Sequence, residues 1–253
     1  DPVPGLMPQV STGAVEFRHV SFGYSPEHQL MHDVNITVKS GQKVAIVGPT
    51  GAGKTTLINL LMRFYDVDGG SILVDGVDTK EMTRHELRDR FGMVLQDAWL
   101  FEGSIRDNIA YAQDNLPEEK IIAAARSASV DSFIKTLPGG YDFELSTGAE
   151  NISQGQRQLL TIARAMASDP EIMILDEATS NVDTHTEQLI QKALAKLMHG
   201  RTSFVIAHRL STIRDADMIL YMEHGDILEH GSHEELMAQH GKYEALYMSQ
   251  FAQ

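Results

Sequence analysis

The chain has 253 residues, of which 42% are hydrophobic, and a formal net charge of −14; a chain of this size buries one large core, with at most a small satellite. Such an acidic balance opposes binding to a phosphate backbone, because nucleic-acid affinity comes largely from Lys and Arg displacing counterions. It equally opposes direct docking on anionic lipid, and the lack of cysteine excludes a disulfide framework or thiolate metal site and fits a reducing compartment.

Residues 1–13 carry three prolines and two glycines without an apolar period, which predicts a linker from a longer protein ahead of a fold spanning 14–253. They lack the basic-then-apolar pattern of a secretory signal. Val15 to Phe22 and Leu30 to Val38 read as strands, and Lys43 to Val47 as a buried strand. A helix follows Gly53, with Leu57, Leu60, Leu61 and Phe64 on one face at spacings of three and four. From about 100 to 168 the pattern is mostly helical: SIRDNIAY, then PEEKIIAAARSASVDSFIKTL with a proline at its start, then SQGQRQLLTIARAMAS. A helical subdomain is expected there. Strand-like EIMILDE, a helix over 184–198, strand-like TSFVIAH and a hairpin turning at His224 to Asp226 complete the alternation. Strands alternating with helices imply an α/β fold with a parallel sheet. Ser232 with Glu235 predicts a capping box opening a last helical segment. Apolar runs such as Val44 to Val47 and Ile172 to Leu175 fall far short of the ~20 residues a membrane-crossing helix needs.

The segment GPTGAGKT, Gly48 to Thr55, matches the phosphate-loop pattern between a β-branched strand and an amphipathic helix. Gly48, Gly51 and Gly53, with Pro49, Thr50 and Ala52 between them, let backbone N–H groups converge on phosphate oxygens. Lys54 reaches the outer phosphates, Thr55 offers its hydroxyl to Mg²⁺, and the helix opening through Thr56 adds its positive end. The pattern arises by chance in a chain this long on the order of once in a hundred. Alone it predicts nucleoside triphosphate binding and no more.

Ile172 to Leu175 ends in Asp176 and Glu177, two carboxylates at the carboxyl end of a buried strand, where α/β sheets bind ligands. Asp176 suits the Mg²⁺ shell and Glu177 the polarisation of an attacking water.

With these residues in view the chain resembles the ATP-binding-cassette family from about Val15 to its end. Tyr24 in FGYSPE looks like the aromatic that stacks on adenine. Gln96 in VLQDAWLF resembles the glutamine that senses Mg²⁺ and faces the membrane domains. NISQGQRQ, Asn151 to Gln158, is similar to the family signature; SNVD, Ser180 to Asp183, to its D-loop; and His208 in IAHRLST to its switch histidine. By itself Tyr24 fits a half-buried strand aromatic, Gln96 a polar strand end, and His208 a satisfied strand-end imidazole. Their order around the phosphate loop and the acidic strand end favours the functional reading.

The resemblance implies a phosphate-loop NTPase core with an amino-terminal antiparallel β-subdomain and an inserted helical subdomain. It implies ATP and Mg²⁺ as cofactors, with Thr55, Gln96 and Asp176 on the metal and Glu177, His208 and Gln96 serving hydrolysis. It also implies a head-to-tail dimer in which Ser153, Gln154, Gly155, Gln156 and Asp183 contact ATP held by the opposing subunit. Ser153 and Gln156 have capping-box spacing, which leaves a helix amino terminus directed at that phosphate. The text VLQDAWLFEGSIRDNIAY is exporter-like. An exporter motor is therefore expected at the cytoplasmic face of the cell membrane, partnered by transmembrane domains of the same transporter and a second nucleotide-binding domain, with no nucleic-acid partner.

Two features depart from the pattern. Gln154 stands where the family usually has glycine, which resembles one half of a heterodimeric pump, although a homodimer stays open. Leu145 to Asn151 occupies the place of an exporter loop but matches it imperfectly. A soluble ABC ATPase acting on nucleic acid or ribosomes is the alternative; it calls for basic clamp surfaces or a long coiled coil, and the sequence has neither. A regulatory module that binds ATP without turnover is opposed by Glu177 and His208.

Overall fold

The structure is a computed structural model that describes residues 1–177 and 182–251. Ser180 and Asn181 lie outside the described residues. The chain divides into two compact units, one of 1–91, 171–177 and 200–253, the other of 92–170 and 178–199.

The first unit opens with β1 (Val15–Ser25) and β2 (His28–Val38), an antiparallel pair with Val15 opposite Val38 and Ser25 opposite His28. Next come β3 (Lys43–Val47), α1 (Lys54–Leu61), β4 (Gly69–Val74), β5 (Val77–Asp78) and α2 (Arg84–Arg88). The small antiparallel sheet has the order β2-β1-β4-β5. Its alternating buried residues, among them Phe17, Val20, Val34 and Ile36, form an apolar face. At the boundary of this unit, where β6 (Phe91–Val94) begins with only Phe91 belonging to it, the Arg90 carbonyl accepts from the N–H groups of Glu171 and Ile172.

The second unit carries β7 (Gly103–Ser104), α3 (Ile105–Ile109), α4 (Glu118–Ser127), α5 (Asp131–Thr136), β8 (Glu144–Leu145) and α6 (Gln154–Ser168). The stretch predicted as one helix from Pro117 breaks into α4 and α5, since Ser129 has φ 58, and Pro117 takes the cap position ahead of α4. The helical pattern also hides a small strand pair, β7 with β8.

After α6 come β9 (Ile172–Asp176), α7 (Thr184–Met198), β10 (Thr202–Ile206), α8 (Leu210–Arg214), β11 (Met218–Glu223), β12 (Asp226–Gly231), α9 (His233–Ala238) and α10 (Lys242–Phe251). Of these, α7 belongs to the second unit and the rest to the first. β3 pairs in parallel with β10 and β11, and β10 in parallel with β9. β12 closes the edge as an antiparallel strand turning at His224 and Gly225. β3 and β10 are buried along nearly their whole length, as strands of a parallel sheet must be. The α/β architecture is thus a parallel sheet beside an antiparallel β-subdomain, with a mostly helical second unit.

Two local expectations are corrected. α1 buries Leu57, Leu60 and Leu61, each about 1% exposed and each contributing roughly 1.5–3 kcal/mol, but it ends at Leu61. Phe64, beyond it, lies exposed beneath the Arg88 guanidinium at 4.5 Å. The Ser232 hydroxyl caps α9 by accepting from the Glu235 N–H, whereas no reciprocal bond from the Glu235 side chain completes a box.

Residues 1–14 are tied to the first unit. The Leu6 N–H donates to the Glu81 carbonyl, and the Asp1 carboxylate pairs with Arg84 at 2.8 Å. Asp75, in the β4–β5 turn, accepts from the N–H groups of Thr12, Gly13 and Ala14 at 2.9, 3.1 and 2.9 Å and from the Thr12 hydroxyl at 2.6 Å. The Arg90 guanidinium joins Asp75 to Glu171.

Candidate functional site

The first unit brings together Tyr24, the 48–56 loop, Asp176, Glu177 and His208. β3 delivers its carboxyl end into the loop, and Gly48 has φ 150. A Cβ there would lie 2.1 Å from the Met222 carbonyl oxygen, so no other residue fits between loop and β11. The loop turns through the Ala52 N–H donating to the Pro49 carbonyl. Gly53 occupies the cap position of α1 and brings no side-chain acceptor. The first-turn N–H groups, with the helix dipole behind them, therefore remain suited to a phosphate.

Lys54 heads α1 and is partly buried. Its Nζ donates to the Gly48 carbonyl at 2.7 Å. Burial lowers its pKa, and the charge of Asp176 partly restores it. Burial likewise raises Asp176, with the His208 and Lys54 charges acting against the rise and Glu177 adding to it. Asp176 Oδ1 is buried without a hydrogen-bond partner, and His208 Nε2 stands 3.9 Å away. A desolvated carboxylate oxygen of this kind fits a divalent cation. Asp176 and the exposed Thr55 hydroxyl are the groups that would hold Mg²⁺ with the phosphates.

Glu177 follows β9 and is 7% exposed. Its Oε2 accepts from the N–H groups of His208 and Arg209 at 2.9 and 3.0 Å, and the Thr212 hydroxyl donates to Oε1.

A cleft of about 440 Å³ is lined by Tyr24, His28, Gln29 and Leu30 from the β1–β2 hairpin and by Gly51 to Thr56. Tyr24 is 58% exposed, more open than a half-buried strand aromatic, yet it is held firmly. Its hydroxyl shares a 2.7 Å hydrogen bond with Thr56. Its ring meets Phe22 and Tyr65 edge to face at 5.0 and 5.3 Å. A stacking face is thus preset beside the phosphate loop.

The remaining predicted residues belong to the second unit. Gln96 is exposed just after β6. The expected capping box is formed: the Gln156 N–H donates to the Ser153 hydroxyl, and the Ser153 N–H donates to the Gln156 side chain. Gln154 is the exposed first residue of α6. Gly155 has a further reason for being glycine. A Cβ there would lie 2.4 Å from Thr186 Cγ2 and 3.0 Å from Val182 Cγ1, so it permits the close approach of α6 to the start of α7. Asp183 caps α7, accepting from the Thr186 N–H and hydroxyl at 2.9 and 2.7 Å; these bonds lower its pKa.

Sequence reasoning missed Thr212 and the contact of the β11–β12 turn with the phosphate loop. The Gly225 N–H donates to the Ala52 carbonyl inside the phosphate loop. Gly225 has φ +85, and a Cβ would meet the Leu30 carbonyl oxygen at 2.1 Å. Next to it, Asp226 accepts from the His32 N–H. The turn thus braces the loop against β2. Only the HGD turn text at 224–226 signalled the hairpin, and nothing in it named the loop as its partner.

Comparison with known proteins agrees with this geometry. The family described as ABC transporter matches residues 31–180. The chain is 54% identical over 242 residues to an uncharacterised ABC transporter ATP-binding protein of Bacillus subtilis, covering 96% of this chain and 40% of that one. It is 55% identical over 232 residues to a fatty acid ABC transporter ATP-binding/permease protein of Mycobacterium tuberculosis, covering 92% and 37%. With an ATP-dependent lipid A-core flippase of Desulfotalea psychrophila it shares 50% identity over 237 residues, covering 94% and 41%. It aligns with a bacterial Atm1-family ABC exporter with ATP bound at a TM-score of 0.89 and 41% identity, over 99% of this chain and 43% of that one. The chain thus spans about two fifths of the length of the curated relatives it matches. With the phosphate loop, the paired carboxylates and the preset aromatic in one unit, and with this degree of identity, the chain belongs to the ABC transporter family.

Proposed function

We propose that this chain is the ATP-binding and ATP-hydrolysing motor of a membrane exporter, working as one of two nucleotide-binding domains at the cytoplasmic face of the membrane. The observation that carries the reading is the convergence, within one unit, of Lys54 on the phosphate loop and the unpartnered Asp176 oxygen at the end of β9. Tyr24 stacks on the base, Lys54 and the α1 amino terminus bind the phosphates, and Thr55 and Asp176 hold Mg²⁺, with Gln96 assigned to the same ion. Mg²⁺ supplies charge neutralisation at the phosphate oxygens. Glu177 accepts the proton of the attacking water, and His208 stabilises the developing charge.

The relatives reported above are transporters, and their names support the exporter reading over a soluble nucleic-acid ATPase. Transmembrane domains of the same transporter are the partners to which ATP-driven closure and reopening are passed. Ser153, Gln154, Gly155, Gln156 and Asp183 face the ATP of the second subunit. The test is Glu177→Gln, which preserves shape and removes the base. Turnover is expected to fall roughly 10²–10⁴-fold with ATP affinity retained and an ATP-bound dimer accumulating in light scattering. Normal hydrolysis by this variant overturns the assignment of Glu177, and loss of turnover without any dimer, alone or with a partner domain, overturns the two-subunit site.

A further inference from the structure

We propose that Thr212 is a positioning residue for hydrolysis: its hydroxyl fixes the rotation of the Glu177 carboxylate. The inference rests on the assignment of Glu177 as the group that meets the attacking water.

Glu177 leaves β9 into the end of the parallel sheet, and its side chain turns onto the segment that follows β10. Two of its contacts there come from the main chain. The N–H groups of His208 and Arg209 both reach Oε2, at 2.9 and 3.0 Å, and residues of any type at 208 and 209 other than proline would supply them. The contact to Oε1 is different in kind, because it comes from the hydroxyl of Thr212, on α8, 35 positions along the chain. Thr212 is 7% exposed, as is Glu177, so bulk water does not readily replace the hydroxyl.

The terminal torsion of a glutamate is broad and roughly two-fold. Two donors on one oxygen define where that oxygen sits but leave the plane of the carboxylate loosely set. A third donor on the other oxygen removes that freedom. The direction of the lone pair that takes a proton follows the carboxylate plane, and a small misorientation at the reacting group costs up to about 10²-fold in rate. Charge-assisted hydrogen bonds to a desolvated carboxylate are also among the stronger ones.

Thr212→Val keeps the branched shape and removes the hydroxyl. Steady-state hydrolysis by the full chain is expected to show kcat lowered roughly 10–100-fold, with the KM for ATP within about two-fold of the parent. Thr212→Ser, which retains the hydroxyl, is expected to restore kcat to within about three-fold. In a Glu177→Gln background, Thr212→Val is expected to cause no further loss, because the group it positions is already gone. A normal kcat in Thr212→Val, beside an inactive Glu177→Gln, overturns the role of Thr212 and leaves Glu177 standing. A loss that Thr212→Ser does not rescue, or that appears in ATP affinity, assigns Thr212 to structure and overturns the proposal. Normal hydrolysis by Glu177→Gln removes the reading of Glu177 itself. Far-UV circular dichroism reports the folding of each variant, and if Thr212→Val does not fold, Thr212→Ala, which adds no volume to the site, is read against the same outcomes.

Discussion

Replacing Asp75 by Asn tests the tie between residues 11–14 and the β-subdomain. The Asp75 side chain is 3% exposed. Burial alone would raise its pKa. The Thr12 hydroxyl and the N–H groups of Gly13, Thr12 and Ala14 outweigh burial and bring it down from 3.8 to about 2. At about 1.4 kcal/mol per pH unit, that lowering contributes about 2.5 kcal/mol to folding at neutral pH. Because the folded-state value lies below the unfolded one, the contribution is complete above about pH 4, falls to about half by pH 3, and is lost as the pH drops through about 2. Asn carries no charge and turns an amide N–H toward donors, so Asp75→Asn should lose about 2–3 kcal/mol at pH 7, lowering Tm by roughly 4–10 °C in a chain of this size. Urea unfolding of parent and variant at pH 7 and pH 3 measures the gap and its narrowing. Hydrogen exchange should also show the amides of Thr12, Gly13 and Ala14 opening faster in the variant. A gap below about 0.5 kcal/mol at pH 7, or one equal at both pH values, refutes the reasoning.

Tyr24→Phe keeps the ring and loses the bond to Thr56, so ATP and GTP should both bind about 3–10-fold more weakly; Tyr24→Ala should cost a further ~1–3 kcal/mol in fluorescence titration, and tripolyphosphate affinity should change in neither. Gly225→Ala is expected to displace the turn from the Leu30 carbonyl and the Ala52 carbonyl, and equilibrium binding should show ATP affinity reduced by at least about ten-fold while far-UV circular dichroism stays that of the parent. Gly155→Ala should destabilise the chain by roughly 1–3 kcal/mol in thermal melts, and adding Thr186→Ser, which deletes the clashing methyl and keeps the hydroxyl on Asp183, should recover part of that loss.

The features legible in the sequence are those written over contiguous residues. The glycine spacing of Gly48 to Thr55, the capping pair Ser153 and Gln156, and the helix over 184–198 each depend on neighbours within a few positions, and each forms as expected. Phe64 continued the spacing of Leu57 and Leu61, but its position was decided by where α1 stops and by Arg88, more than twenty residues away. Asp75 reads as an ordinary turn acid until Thr12 and Arg90 are brought beside it. Gly225 likewise reads as a hairpin glycine until the phosphate loop is placed against it. Thr212 carried no signal, because its partner Glu177 is fixed by the order of β9 and β10 rather than by local spacing. What the sequence did not disclose was therefore long-range contact.

The pairing of β3 with β10 and β11 has a consequence for how the chain acquires its fold. Lys43 to Val47 wait for partners at 202–206 and 218–221, some 160 residues further on. During synthesis at roughly 5–20 residues per second, a strand that is apolar from Val44 to Val47 stays unpaired for on the order of ten seconds or more. The phosphate loop attached to it stays unbraced for as long, since Gly225 arrives later still. Folding dominated by such distant pairings is slow and exposes aggregation-prone edges. Truncations that end before about residue 225 should accordingly fail as soluble nucleotide binders, even though they contain the whole of the Gly48 to Thr55 motif.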